Sequence, residues 1–160
     1  MILAIDPGTS AGATYKVSDK LLTMRWLNKP LTKTKKREGE PKYFRLKKFW
    51  DHLTDVHMAY GVTCIVYEGA QGFLRGKAAV EASHKFRAVI ELFCAQHGIE
   101  CVEIQPNDLK FYALGKRTGD KPEMIKAANR KGYEGNQDDE ADSYLMWFWY
   151  MENYRHEAAQ

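Results

Sequence analysis

Two carboxylates in this chain close apolar runs. Asp6 ends "ILAI" and is followed at once by Pro7 and Gly8. Glu68 ends "VTCIVY" and precedes the glycine-punctuated stretch "GAQGFLRGK". Further acids, Glu134, Asp138, Asp139, Glu140 and Asp142, crowd into nine residues with no base among them. Asp139 and Asp142 are three apart and Asp138 and Asp142 four apart, so either pair shares one face of a helix. Carboxylates brought together repel unless cations compensate them. An oxygen-only donor set suits hard cations such as Mg²⁺, with Mn²⁺ able to substitute. Two such ions about 4 Å apart are the usual arrangement for hydrolysing a phosphodiester, one activating water and the other stabilising the leaving oxyanion.

A plainer account of the last acid cluster makes Asp138 a helix N-cap and Asp139 and Glu140 first-turn acids facing the amide dipoles. It explains Asp142 poorly, because that residue borders the apolar run "SYLMWFWYM". His52, His57, His84, His97 and His156 fall inside none of these motifs. They are expected at or near the surface, without a metal role.

The elements that must position the acids follow from periodicity. Residues 2–6, 13–17 and 21–27 read as three short strands with a tight turn at 18–20, an antiparallel meander. Residues 28–41 read as a loop. Apolar residues at three- and four-residue spacing predict a helix over 43–60, ended by Gly61. Residues 62–67 form a β-branched run suited to a strand buried on both faces. A long helix over 78–97 ends before Gly98, a good C′ residue. The strand "ECVEI" stops at Pro106, and Asn107 is placed to cap a short helix to Leu114. After the basic loop "GKRTGDK" come a helix over 122–131 and a final helix from Asp138 to about residue 156. A meander followed by β-α-β-α units makes a mixed sheet, antiparallel in its first part and parallel in its second, with helices on both faces. The parallel strands bring Asp6 and Glu68 to one edge, where active sites commonly lie.

Composition sets the limits. The chain has 160 residues, 44% hydrophobic and 28% charged, which suits one soluble domain. No apolar run approaches the roughly 20 residues that span a bilayer, and the start does not read as a secretory signal. Cys64, Cys94 and Cys101 form no C-x-x-C pair, so free thiols in a reducing cytoplasm are expected, with no disulfide frame and no zinc. The net charge of +3 matters less than its distribution. Between Lys29 and Lys48 nine basic residues face only Glu38 and Glu40. That run is either a solvated loop or a contact for phosphate backbone.

Four segments, "AIDPGTSAGATY", "IVYEG", "PNDLKFYALGKRTGDK" and "DDEADSYLMW", occur in the order seen in RuvC-type Holliday junction resolvases. The chain resembles that family, a branch of the RNase H-like superfamily, over nearly its whole length. The long basic segment at about 28–42 resembles the more divergent phage-type members. The resemblance implies a single RNase H-like nuclease domain over 1–160 that resolves four-way DNA junctions as a homodimer. It implies two Mg²⁺ per active site held by Asp6, Glu68, Asp139 and Asp142. The D-x-A-D match selects Asp139 over Asp138, a choice that spacing alone leaves open. Lys110 and Lys121 match lysines that contact DNA near the scissile phosphate, and Lys121 is expected to stabilise charge there. In the loop after Glu68, Phe73 or Gln71 is the candidate to enter the junction centre, flanked by Arg75 and Lys77. Lys33, Lys35, Lys36 and Arg37 are candidate backbone contacts. The helix over 78–97 matches the family's dimer helix. No membrane and no nucleotide cofactor are implied.

Three other readings share some of these residues. "DPGTS" also fits the phosphate-gripping strand and turn of actin-like and sugar-kinase ATPases. Those proteins need a second lobe, for which 160 residues leave no room, and they give Asp139 and Asp142 no task. A non-catalytic junction-binding module would not need all four acids. An RNase H-like nuclease for other branched DNA or for hybrids differs from a junction resolvase here only through the resemblance.

Overall fold

The computed structural model describes residues 1–28, 43–69 and 77–154, with side chains in the second long helix from residue 80 onward. Three strands come first: β1 (Ile2–Asp6), β2 (Ser10–Val17) and β3 (Lys20–Leu27). There follow α1 (Phe44–Tyr60), β4 (Cys64–Glu68), α2 (Lys77–His97) and β5 (Glu100–Ile104). Three helices end the chain: α3 (Pro106–Leu114), α4 (Lys121–Arg130) and α5 (Asp138–Asn153). The sheet order is β3-β2-β1-β4-β5. β1, β2 and β3 pair antiparallel, and β1-β4 and β4-β5 pair parallel. This is the expected mixed sheet.

Period-two alternation assigns each strand residue to a face. Leu3, Ile5, Ala13, Tyr15, Ile65 and Tyr67 point to one side, where Phe49 and Leu53 of α1 and Phe86, Ile90 and Phe93 of α2 complete a core. Ala4, Cys64, Val66 and Ile104 point to the other, against Leu109 of α3, Met124 of α4 and Leu145 and Met146 of α5. Asp6 has the parity of Ala4, and Glu68 that of Cys64 and Val66. Both therefore emerge on the α5 side. β4 is buried on both faces from Cys64 to Tyr67, as its β-branched run requires. α5 touches β1, β2, β3 and β4 as well as α3 and α4, which explains why its sequence is apolar nearly all round.

Several helix ends differ from the sequence expectation. Asn107 does not cap α3. The helix starts two residues earlier, with Pro106 at its first position and extended Gln105 as N-cap, because proline's missing N–H costs nothing there. Gln137, not Asp138, is the N-cap of α5, and Asp138 is its first helical residue. A capping box opens α4 that the sequence reading missed: the Asp120 carboxylate accepts from the Glu123 amide, and the Glu123 side chain accepts from the Asp120 amide. Gly61, at φ 64°, ends α1 as expected. Cys64 and Cys94 are buried and Cys101 is exposed, all three as free thiols. No helix among the described residues is long and apolar enough to cross a membrane.

Candidate active site

β1 and β4 run parallel with Ile5 opposite Tyr67, so the next step of the register sets Asp6 beside Glu68. Pro7 and Gly8 turn the chain away immediately. Asn28, fully buried at the end of β3, braces that turn: its Nδ2 donates to the Gly8 carbonyl at 2.8 Å and its amide to the Thr9 carbonyl at 3.0 Å. α5 delivers the third group of acids from above. Its first turn lies directly on Gly12 of β2, where an added Cβ would overlap the Asp139 carbonyl oxygen and stand 2.8 Å from the Glu140 nitrogen. The Thr14 and Ser143 hydroxyls, 2.9 Å apart, fix the next turn of α5 to the same strand. Gly12→Ala is expected to lift the start of α5 off the sheet and to cost about 3 kcal/mol or more in urea unfolding. A loss under about 0.5 kcal/mol, the size of an ordinary surface change, would show that this approach is not tight.

These elements enclose an open cleft of about 490 Å³ lined by Asp6, Glu68, Asp138, Asp142 and Lys121, with the Pro7–Thr9 turn on one wall and Ala82, Ser83 and Phe86 of α2 on the other. The acids are half-buried at its floor and act on one another. Burial, then the charges of Glu68, Asp142, Asp139 and Asp138, hold the Asp6 carboxyl well above its ordinary range. Burial pushes Glu68 up to about 7, against the opposing pull of Lys110 and Arg87. Burial and the neighbouring Glu68 and Asp138 push Asp142 up to about 8, again opposed by Lys110 and Lys121. Asp138 goes the other way. Its burial is outweighed only by the sum of the hydrogen bond from the Lys121 ammonium, the charge of that ammonium and backbone amide hydrogen bonds, and Lys121 is itself raised by the bond.

Asp6, Glu68 and Asp142 thus meet as the sequence suggested, with Lys110 and Lys121 acting on them. The two aspartates that start α5 divide. Asp138 lines the cleft and binds Lys121. Asp139 turns toward β2 and β3, where its Oδ2 accepts from Ser10 Oγ and stands 3.5 Å from Arg25 Nε. It still bears on Asp6 electrostatically. Arg25, Arg87 and Asn28 were missed. Each comes to the site through strand register or helix packing, and no motif in the sequence marks them. Lys33, Lys35, Lys36, Arg37, Gln71, Phe73 and Arg75 lie outside the described residues, as does the side chain of Lys77. Among the described histidines, His84 and His97 are exposed, His57 is half-buried and His52 is half-buried on the Trp26 ring at 5.2 Å; His156 lies outside the described residues.

Among the described residues no three His, Cys, Asp or Glu side chains already form a metal cage. The residues nevertheless fit a hard cation. The donors are all carboxylate oxygens, their charges are under-compensated, and Asp142 Oδ1 is buried with no hydrogen-bond partner.

No protein-family model matches the chain, and a search of curated proteins found no match. Solved structures do match. The Thermus thermophilus RuvC bound to a Holliday junction substrate superposes with a TM-score of 0.70 at 16% identity, over 91% of this chain and 88% of that one. The fowlpox virus resolvase with Holliday junction DNA gives 0.54 at 16% identity, over 95% and 99%. The yeast mitochondrial Holliday junction resolvase Ydc2 gives 0.53 at 11% identity, over 99% and 83%. The fold is therefore RNase H-like, of the RuvC type.

Proposed function

We propose that this chain is a structure-selective endodeoxyribonuclease that cleaves four-way DNA junctions by divalent-metal-assisted hydrolysis, working as a homodimer. The observation that carries the reading is the meeting of Asp6, Glu68 and Asp142 in one cleft that Lys121 also lines, with a buried carboxylate oxygen left unpartnered among the described residues. The likeness in fold to resolvases solved in complex with Holliday junctions supports the choice of substrate.

In this reading Asp6, Glu68 and Asp142 hold the cations, with Asp139 as the fourth ligand. When bound, Mg²⁺ or Mn²⁺ supplies Lewis-acid stabilisation of charge on the phosphate and a more acidic water. The buried carboxylates fix where that charge is met and keep bulk water from screening it. Asp138 holds the Lys121 ammonium at the cleft mouth, ready to exchange its carboxylate partner for a phosphate oxygen. Lys110 offers a second positive charge. The reaction is hydrolysis: a water oxygen bonds to phosphorus, the bond to the 3′-oxygen breaks, and that oxygen leaves protonated.

The remaining assignments belong to the same proposal. Lys33, Lys35, Lys36 and Arg37 contact the phosphate backbone. Phe73 or Gln71 enters the junction centre beside Arg75 and Lys77. α2 is the shared helix of the dimer, and its exposed Leu92 supports that placement. Two-fold symmetry would set one active site on each of two opposed strands.

The test is cleavage of a synthetic four-way junction in Mg²⁺ against EDTA, beside linear duplex, flap and RNA–DNA hybrid substrates. Paired nicks in the junction alone are expected. Junction binding without nicks in either Mg²⁺ or Mn²⁺ would make the chain a binding module. Equal cutting of hybrids or flaps would make it a nuclease of broader range.

A further inference from the structure

Arg25 belongs to the active site through strand register. Asp6 pairs with Gly12, and Gly12 pairs with Arg25, so the three form one row across β1, β2 and β3 on the face that α5 covers. Gly12 has no side chain, so the Arg25 guanidinium reaches past it to the first turn of α5. There Nε donates to Ser10 Oγ at 2.8 Å and Nη1 donates to Gln137 Oε1. Ser10 Oγ in turn donates to Asp139 Oδ2, which stands 3.5 Å from Arg25 Nε, while Asp139 Oδ1 accepts from the Glu140 amide at 3.0 Å. Asp139 is thus gripped by groups that do not line the cleft. Its charge also repels that of Asp6.

We infer that Arg25 is a positioning residue: it holds the Asp139 carboxylate on Ser10, back from Asp6, and so sets both the orientation of that carboxylate and the strength with which the acid cluster binds a divalent cation. The catalytic consequence rests on the proposed nuclease reading, whereas the effect on cation binding does not. A guanidinium beside an acidic cluster offsets part of the attraction for a cation. Removing it strengthens binding and frees Asp139 to swing. A scaffolding arginine would do the reverse, since loosening the first turn of α5 would weaken cation binding and cleavage together.

The experiment is a Mn²⁺ titration without DNA, followed by the paramagnetic resonance of the free ion, on the wild-type chain and on Arg25→Met, Arg25→Gln and Arg25→Lys. The expected result is a midpoint roughly 3–10-fold lower for the Met and Gln variants and within about twofold of wild type for Lys. At saturating Mn²⁺, junction cleavage by the Met and Gln variants is expected to fall about tenfold or more, with Lys recovering most of it. The Gln variant keeps a hydrogen-bonding side chain and decides the matter if the Met variant unfolds. An unchanged or weaker Mn²⁺ midpoint overturns the inference. So does loss of junction binding in EDTA with an unchanged midpoint, which would make Arg25 a DNA contact. If the Mn²⁺ pattern appears and the wild type cuts no junction, the nuclease reading falls and the role of Arg25 stands.

Discussion

Asp142→Asn is expected to abolish junction cleavage, by roughly 10³-fold or more, while leaving junction binding intact. The asymmetry follows from where the residue sits. Asp142 lies one turn into α5, its Oδ1 is buried without a partner, and its nearest charged neighbours are other acids and two lysines. No hydrogen bond among the described residues ties its side chain to the fold, so an asparagine of the same shape leaves the helix in place. A ligand lost from a cation site removes charge where the reaction develops it. The same substitution removes a repulsive charge from beside a phosphate. Binding measured in EDTA should therefore be equal or slightly tighter at low salt. Single-turnover cleavage and a binding titration, run on the same preparation, check both halves. Cutting within about tenfold of the wild type would mean that α5 does not supply the ligand at Asp142.

The same site shows which parts of the molecule the sequence discloses. Asp6 and Glu68 were legible because each ends a strand and because alternation along that strand sends its last residue to the α5 side. Asp142 was legible because a carboxylate bordering an apolar run needs a reason. The partition between Asp138 and Asp139 was not legible, since both lie within one turn of Asp142 and both spacings share a helical face. It is decided by what faces each side chain. Lys121 comes from the start of α4, and Ser10 and Arg25 come from β2 and β3. Arg25 and Asn28 carry no local pattern, and their part in the site appears only once the register of β3 against β2 is known. Helix starts at Gln105 and Gln137 were missed for a related reason. Better-known capping residues stood nearby, while proline at a first position and an extended backbone did the work.

Asp142→Asn should also stabilise the metal-free protein at pH 8, and this second effect has the opposite sign from the loss of activity. In the folded chain Asp142 titrates near 8 and Glu68 near 7, against ordinary values of 3.8 and 4.5, and Asp6 is raised as well. Between about pH 4 and pH 8 the folded state therefore holds more protons at this site than the unfolded state does. The site's contribution to stability is fully present below the unfolded values and is lost as pH rises through the folded ones. Each tenfold difference in proton affinity between the two states is worth about 1.4 kcal/mol. The three acids are thus expected to cost the metal-free fold at least about 3 kcal/mol at pH 8 relative to pH 5, or a Tm lower by at least about 6 °C for a chain of this size. Removing one of the mutually repelling charges should return roughly half of that and flatten the slope over the same window. Millimolar Mg²⁺ should raise the Tm of the wild type at pH 8 and do little for the variant. Thermal unfolding of both proteins at pH 5 and pH 8, in EDTA and in Mg²⁺, gives the comparison. Equal pH slopes for wild type and variant would mean that these carboxylates are not held together in the folded chain. A steeper slope for the wild type, relieved by the cation, would show a fold that keeps these three acids together at a cost to its own stability, which is what a cation-dependent phosphodiesterase requires.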